Sequence, residues 1–163
     1  MAHADCSTTE QFVDVYQRHV DTVYRVCYTF LRNAADTEDA VQNVFIKLLA
    51  TPRAFENAEH EKAWLIRVAS NHCKDVLKSI WSKRTDLESI AEPPAPEESP
   101  DETLTVVMSL PEAQRVCIYL YYYEGYKAAE IASFINRSHS TVRSYLSEAR
   151  ASLRKRLGGG FDG

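Results

Sequence analysis

Small hydroxyls and arginines recur near the end of the chain at a spacing that gathers them on one side of a helix. They are Ser140, Arg143, Ser144 and Ser147, then Arg150 and Arg154. Hydroxyls donate and accept hydrogen bonds, and a guanidinium forks onto paired acceptors, so the set suits phosphates and base edges. The other side carries Val142, Leu146, Ala149 and Leu153 at steps of four, three and four, which is one buried stripe. A second set lies earlier. Arg67, Asn71, Lys74 and Lys78 also follow steps of four, three and four, giving a basic stripe with one amide. A solvated face of an ordinary surface helix would carry the same residues.

These side chains need helices to hold them. Glu130, Ile131, Ala132 and Ile135 belong to a short helix before the hydroxyl-rich one. Asn136-Arg137-Ser138 breaks the two, because Asn tolerates left-handed backbone and Ser138 is a good N-cap. A short helix, a tight turn and a capped helix form the helix-turn-helix pattern, a DNA-reading arrangement that a plain helical hairpin also matches. Upstream, Phe12 to Leu31 has helical periodicity, and Asp36 is expected to cap a helix from Thr37 to about Ala50. Ala40, Val41, Val44, Ile46, Leu48 and Leu49 form its expected apolar side. Pro52 to Glu61 reads as a loop. Glu61 to Trp81 reads as a third helix, with Trp64, Leu65, Val68, Ala69, Val76, Leu77 and Ile80 inward.

Glu88 to Glu102 holds four prolines and six acids, without aromatics, which reads as an extended tether. After it come short helices over Leu104–Leu110 and Glu112–Glu124, the second with Val116, Leu120 and Tyr123 inward and stopped by Gly125. The tyrosines 119, 121, 122, 123 and 126 suit packing better than base stacking. The fold class is therefore all-α: two small helical domains, 9–84 and 103–157, joined by an acidic proline-rich linker over 85–102, the second with a helix-turn-helix.

A net charge of −4 argues against nucleic-acid binding only until its distribution is read. Residues 62–84 carry net +5 and residues 103–157 net +4, while 1–61 and 85–102 carry −5 and −7. Two basic segments alternate with two acidic ones. The longest apolar run, Val116 to Tyr123, has eight residues, far short of the roughly 20 that span a bilayer. With no basic, apolar leader at the start, a cytoplasmic protein is expected. The cysteines at 6, 27, 73 and 117 form no CxxC, and neither His3 with Cys6 nor His72-Cys73 has a second ligand pair, so no metal is expected. No cofactor motif is present. His72-Cys73 lacks an acid partner in sequence pattern, which disfavours an enzyme.

Two motifs in order resemble the short extracytoplasmic-function group of the sigma-70 family of bacterial transcription initiation factors. DTEDAVQNVFIKLL (Asp36–Leu49) with WLIRVASNHCKDVLKS (Trp64–Ser79) looks like the family's domain two. Leu110 to Leu157 looks like its domain four. The resemblance implies that Asp39, Gln42, Asn43 and Phe45 bind core RNA polymerase, with Phe45 as apolar anchor; a purely structural role for Asp39 and Phe45 is the alternative. It implies that Arg67, Asn71, Lys74 and Lys78 face the −10 promoter element, and that the 52–61 loop holds a flipped base. It implies that Ser140, Arg143 and Ser144 enter the major groove of the −35 element while Arg137 reaches phosphate. An anti-sigma factor, often membrane-anchored, is the implied regulator. Ser70 and Glu148 stand where relatives often have arginine, and Asn136 replaces a usual glycine. A stand-alone helix-turn-helix regulator would lack the acidic helix at Asp39.

Overall fold

The computed structural model describes residues 2–51, 54–87 and 101–158, and within them seven helices and no strand. They are α1 (Ala2–Leu31), α2 (Ala34–Ala50), α3 (Ala58–Leu87), α4 (Glu102–Met108), α5 (Glu112–Tyr122), α6 (Ala128–Ile135) and α7 (His139–Leu157). The acidic proline-rich stretch 88–100 lies outside the described residues, as do Pro52 and Arg53.

Helix α1 ends where Arg32 turns left-handed at φ 61°. Helix α2 begins three residues earlier than expected because Asn33, not Asp36, is its cap: the Asn33 side chain accepts from the Asp36 amide at 2.9 Å. Helix α3 begins at Ala58, so the loop before it is short, and Asn57 accepts from the His60 amide at 2.8 Å. Asp101 and Glu102, read as linker, instead start α4: the Asp101 side chain accepts from the Thr103 amide at 3.0 Å.

Helices α1 to α3 bury Val23, Val26, Phe30, Val44, Leu65 and Ile66 between them. Helices α4 to α7 bury Val107, Ile118, Leu120, Ile131, Val142 and Leu153. Each such side chain, taken out of water, contributes about 1.5–3 kcal/mol. The two helix groups do not stand apart, because α3 packs on α6 and α1 on α5, and the core is continuous across them.

Three expected inward residues face out. Tyr123 is exposed, since its ring stacks on the buried Tyr119 at 5.4 Å from the outside. Ile46 and Leu49 are each 58% exposed, because α2 buries its Ala40-Val41-Val44-Phe45 side and turns these two away. Gly125 sits at φ 76°, and beyond it the Tyr126 amide closes on Leu120 O at 3.0 Å.

Candidate nucleic-acid interface

The helix-turn-helix is built as its sequence dictates. Asn136 adopts φ 56°, ψ 51°, and the Arg137 amide closes on Ala132 O at 3.1 Å. A left-handed residue here swings the chain so that α7 starts beside the end of α6. Ser138 then caps α7: its hydroxyl accepts from the Thr141 amide at 3.1 Å and pairs with the Thr141 hydroxyl at 2.8 Å. Glu130 reaches back to accept from the Lys127 amide at 3.0 Å, which fixes the start of α6. Val142, Leu146, Ala149 and Leu153 are buried, as their spacing requires.

That burial leaves Ser140, Arg143, Ser144 and Arg137 exposed. The first three line an open groove of about 720 Å³ together with Lys127, His139 and Ser147. Lys127 was not legible as part of this face, because it precedes α6 and joins only through the turn. Arg150 is not free for phosphate in this arrangement. Its Nε donates to the Tyr122 hydroxyl at 3.1 Å, and its guanidinium lies 5.2 Å from the Tyr121 ring centre. Glu148 accepts from Gln114 Nε2 at 3.2 Å, so its carboxylate ties α7 to α5.

The stripe on α3 is divided. Asn71 and Lys78 are exposed. Arg67 donates to Ser133 Oγ at 2.6 Å, and Lys74 donates to Ile135 O at 2.6 Å, both on α6. Burial, then the nearby Arg137, pulls the Lys74 ammonium below its ordinary pKa. Beside the start of α3 an open cavity of about 540 Å³ is lined by Phe12, Val15, Arg18, Leu49, Phe55 and Glu61. Glu61, expected at the junction of loop and third helix, lies in the first turn of α3 and is buried; it accepts from Arg18 and lies 2.7 Å from His19 Nε2. Phe55, the aromatic of the short loop, rests 5.8 Å from the Trp64 ring.

On α2, Asp39 and Gln42 are exposed, while Asn43 Nδ2 turns back to Asp39 O at 2.9 Å. Phe45 is 4% exposed, edge-on to Tyr16 at 4.8 Å and to Phe12 at 6.3 Å. Its ring is inside. The apolar groups beside Asp39 and Gln42 on the open surface are Ile46 and Leu49, which continue that line at steps of four and three. The sequence held a sign of this: seven apolar residues in Ala40–Leu49 are more than one helix face can bury. Cys73 is fully buried, and its hydrogen bond to the Cys27 thiol, with burial, pushes its pKa up, so the His72-Cys73 pair offers no thiolate.

Two family models match: Sigma-70 region 2 over residues 15–83 and Sigma-70, region 4 over residues 101–153. Among curated proteins, the ECF RNA polymerase sigma factor SigM of Mycobacterium tuberculosis is 26% identical, the match covering 90% of this chain and 77% of that one. The ECF RNA polymerase sigma factor SigW of Bacillus subtilis is 25% identical, over 91% and 89%. A probable RNA polymerase sigma factor, RfaY of Xanthomonas campestris, is 27% identical over 99% of this chain but only 44% of its own length. The fold is shared with the sigma factor RpoE of Bartonella quintana, solved with the anti-sigma factor NepR: TM-score 0.73, 21% identity, 93% of this chain and 99% of that one.

Proposed function

The chain belongs to the sigma-70 family, in its extracytoplasmic-function group, and on that premise we propose that it binds core RNA polymerase and directs it to one promoter class. The observation that carries this reading is the presence, in one chain and in family order, of an exposed acid–amide–apolar line on α2 and an open hydroxyl–arginine face on α7. A repressor needs only the second.

Asp39, Gln42 and Asn43 present carboxylate and amide groups to cations of the polymerase, with Ile46 and Leu49 as its apolar anchors. Phe45 supports this line from inside. Arg143 reads a base edge in the −35 element, a contact worth about 1–3 kcal/mol of discrimination, flanked by Ser140 and Ser144, while Arg137 meets phosphate. Asn71 and Lys78, with Arg67 and Lys74 once released from α6, face the −10 element. The cavity beside Phe55 takes a base extruded from the opening duplex, where contacts offset an unstacking cost of a few kcal/mol.

Residues 9–84 and 103–157 act as the two functional units, and the acidic, proline-rich stretch between α3 and α4 sets their reach. The factor acts in the cytoplasm and supplies no catalytic group of its own. Among the described residues no helix is long and apolar enough to cross a membrane. One protein of this fold was solved with the anti-sigma factor NepR and another, CnrH, with the cytosolic domain of CnrY, which supports a protein regulator here. Co-purification with core RNA polymerase tests the reading. Stoichiometric capture is expected; DNA binding without any polymerase capture would return the chain to the stand-alone regulators.

A further inference from the structure

The basic stripe on α3 does not end at Lys78. Arg67, Asn71, Lys74 and Lys78 advance by four, three and four residues, and the next step of three reaches Trp81. At about 100° per residue, all of these fall within one sector of about 80°. Trp81 is 64% exposed, more than any other large hydrophobic residue among those described. Arg67 and Lys74 donate to α6, whereas Lys78 and Trp81 lie further along α3 and are exposed.

The chemistry of this end of α3 suits a polyanion. From Lys62 to Arg84 the chain has six cations and one acid, Asp75, which falls outside that sector by helical spacing. Indole Nε1 is a donor with no acceptor beside it, and phosphate oxygens are acceptors with no donor. The ring faces pack on apolar surface, which the edge of a deoxyribose supplies. Tryptophan also anchors protein interfaces, but their cores are depleted of charge, and here the neighbours on the same face are Lys74 and Lys78. From Arg67 to Lys78 the helix rises about 16 Å, the length of about five base pairs, and Trp81 carries the stripe to about six.

We propose that Trp81 is a DNA-backbone contact: its indole N–H donates to a phosphate of paired DNA, its ring packs on the adjoining sugar, and Lys78 neutralises a neighbouring phosphate. That this DNA is the promoter, just beyond the −10 element on its −35 side, rests on the promoter reading above; the contact itself does not. Trp81 lies at the end of α3 from which the chain runs on to α4, away from the cavity at Phe55, so it meets duplex that is still closed. Such a contact positions α3 along the duplex without reading sequence. Because indole is neutral, its share of the binding persists as salt rises, unlike that of Lys78.

Acrylamide quenching of tryptophan fluorescence tests this on the full chain, where Trp64→Phe leaves Trp81 as the single reporter. The probe is a random-sequence duplex at low salt. It needs neither promoter nor polymerase, so a failure here is separate from a failure of the promoter reading. Saturating duplex is expected to shield Trp81 from the quencher. Trp81→Ala, in a chain that keeps Trp64, is expected to weaken duplex binding roughly tenfold, as for one lost hydrogen bond to a charged group, with the salt slope unchanged. Trp81→Phe, which keeps a ring and loses the donor, should fall between the two. This binding comparison stands even where the Trp64→Phe chain does not fold. Unchanged quenching at saturation overturns the proposal, as does a Trp81→Ala chain that binds duplex normally. Shielding by single-stranded DNA alone overturns the backbone contact in favour of base stacking. A Trp81→Ala chain that loses polymerase capture and keeps duplex binding overturns it in favour of a protein anchor.

Discussion

Replacing Phe45 and replacing its exposed neighbours should give opposite phenotypes. Phe45 is 4% exposed and makes edge contacts to Tyr16 and Phe12. Phe45→Ala leaves a cavity between α1 and α2, and truncations of this type cost about 3–5 kcal/mol. The two ring contacts account for roughly 0.5–1.5 kcal/mol each of that loss. Against a typical stability of about 5–15 kcal/mol, the change is large. At about 2–4 °C per kcal/mol for a chain of this size, the melting temperature falls by roughly 10 °C. Ile46→Ala and Leu49→Ala remove side chains that are 58% exposed, so each changes stability by about 0.5 kcal/mol or less. If both are anchors, each loses roughly 1–2 kcal/mol of polymerase binding, about tenfold or somewhat more in Kd. The assay pairs thermal melts of the free chain with anisotropy titrations against core RNA polymerase. A Phe45→Ala chain that melts like wild type but fails to bind would refute the assignment, as would Ile46→Ala and Leu49→Ala chains that bind normally.

Arg143→Ala should weaken binding to the −35 duplex by roughly ten- to a hundredfold and relax preference at one base pair, read by binding to a set of single-base variants. Lys78→Ala, at an exposed position, should lower the salt dependence of promoter binding by about one unit of slope, if it meets a phosphate. Asn136→Ala should cost about 1 kcal/mol in a melt because its φ is 56°, whereas Asn136→Gly should stay close to wild type.

Much of the DNA-facing geometry was legible because it is local. The αL residue Asn136, the Ser138 cap and the Val142–Leu153 stripe each depend on neighbours within a few positions, and all three stand as their types require. Helix starts were less so, since Asn33 and Asp36 are both competent caps and only the chain path past Arg32 selects the first. The inside and outside of α2 depended on where α1 and α3 lie, which no helical period in α2 itself contains. The occupied state of Arg67 and Lys74 depended on α6, more than sixty residues away. Arg115 gave a faint sign. It is a cation in the first turn of α5, where the helix dipole disfavours it, followed directly by Val116, Cys117 and Ile118. Its burial and the approach of Arg32 lower its pKa to about 10, still protonated at neutral pH, so the carbonyls of Thr29, Phe30 and Leu110, to which it donates, face a cation.

On the reading proposed above, this chain gives RNA polymerase a promoter. Transcription start sites should be mapped on genomic DNA transcribed in vitro by core RNA polymerase, with and without the chain. A set of starts is expected that appear only with the chain, share two upstream elements, and disappear with the Ile46→Ala, Leu49→Ala double variant. Identical start sites with and without the chain would contradict it.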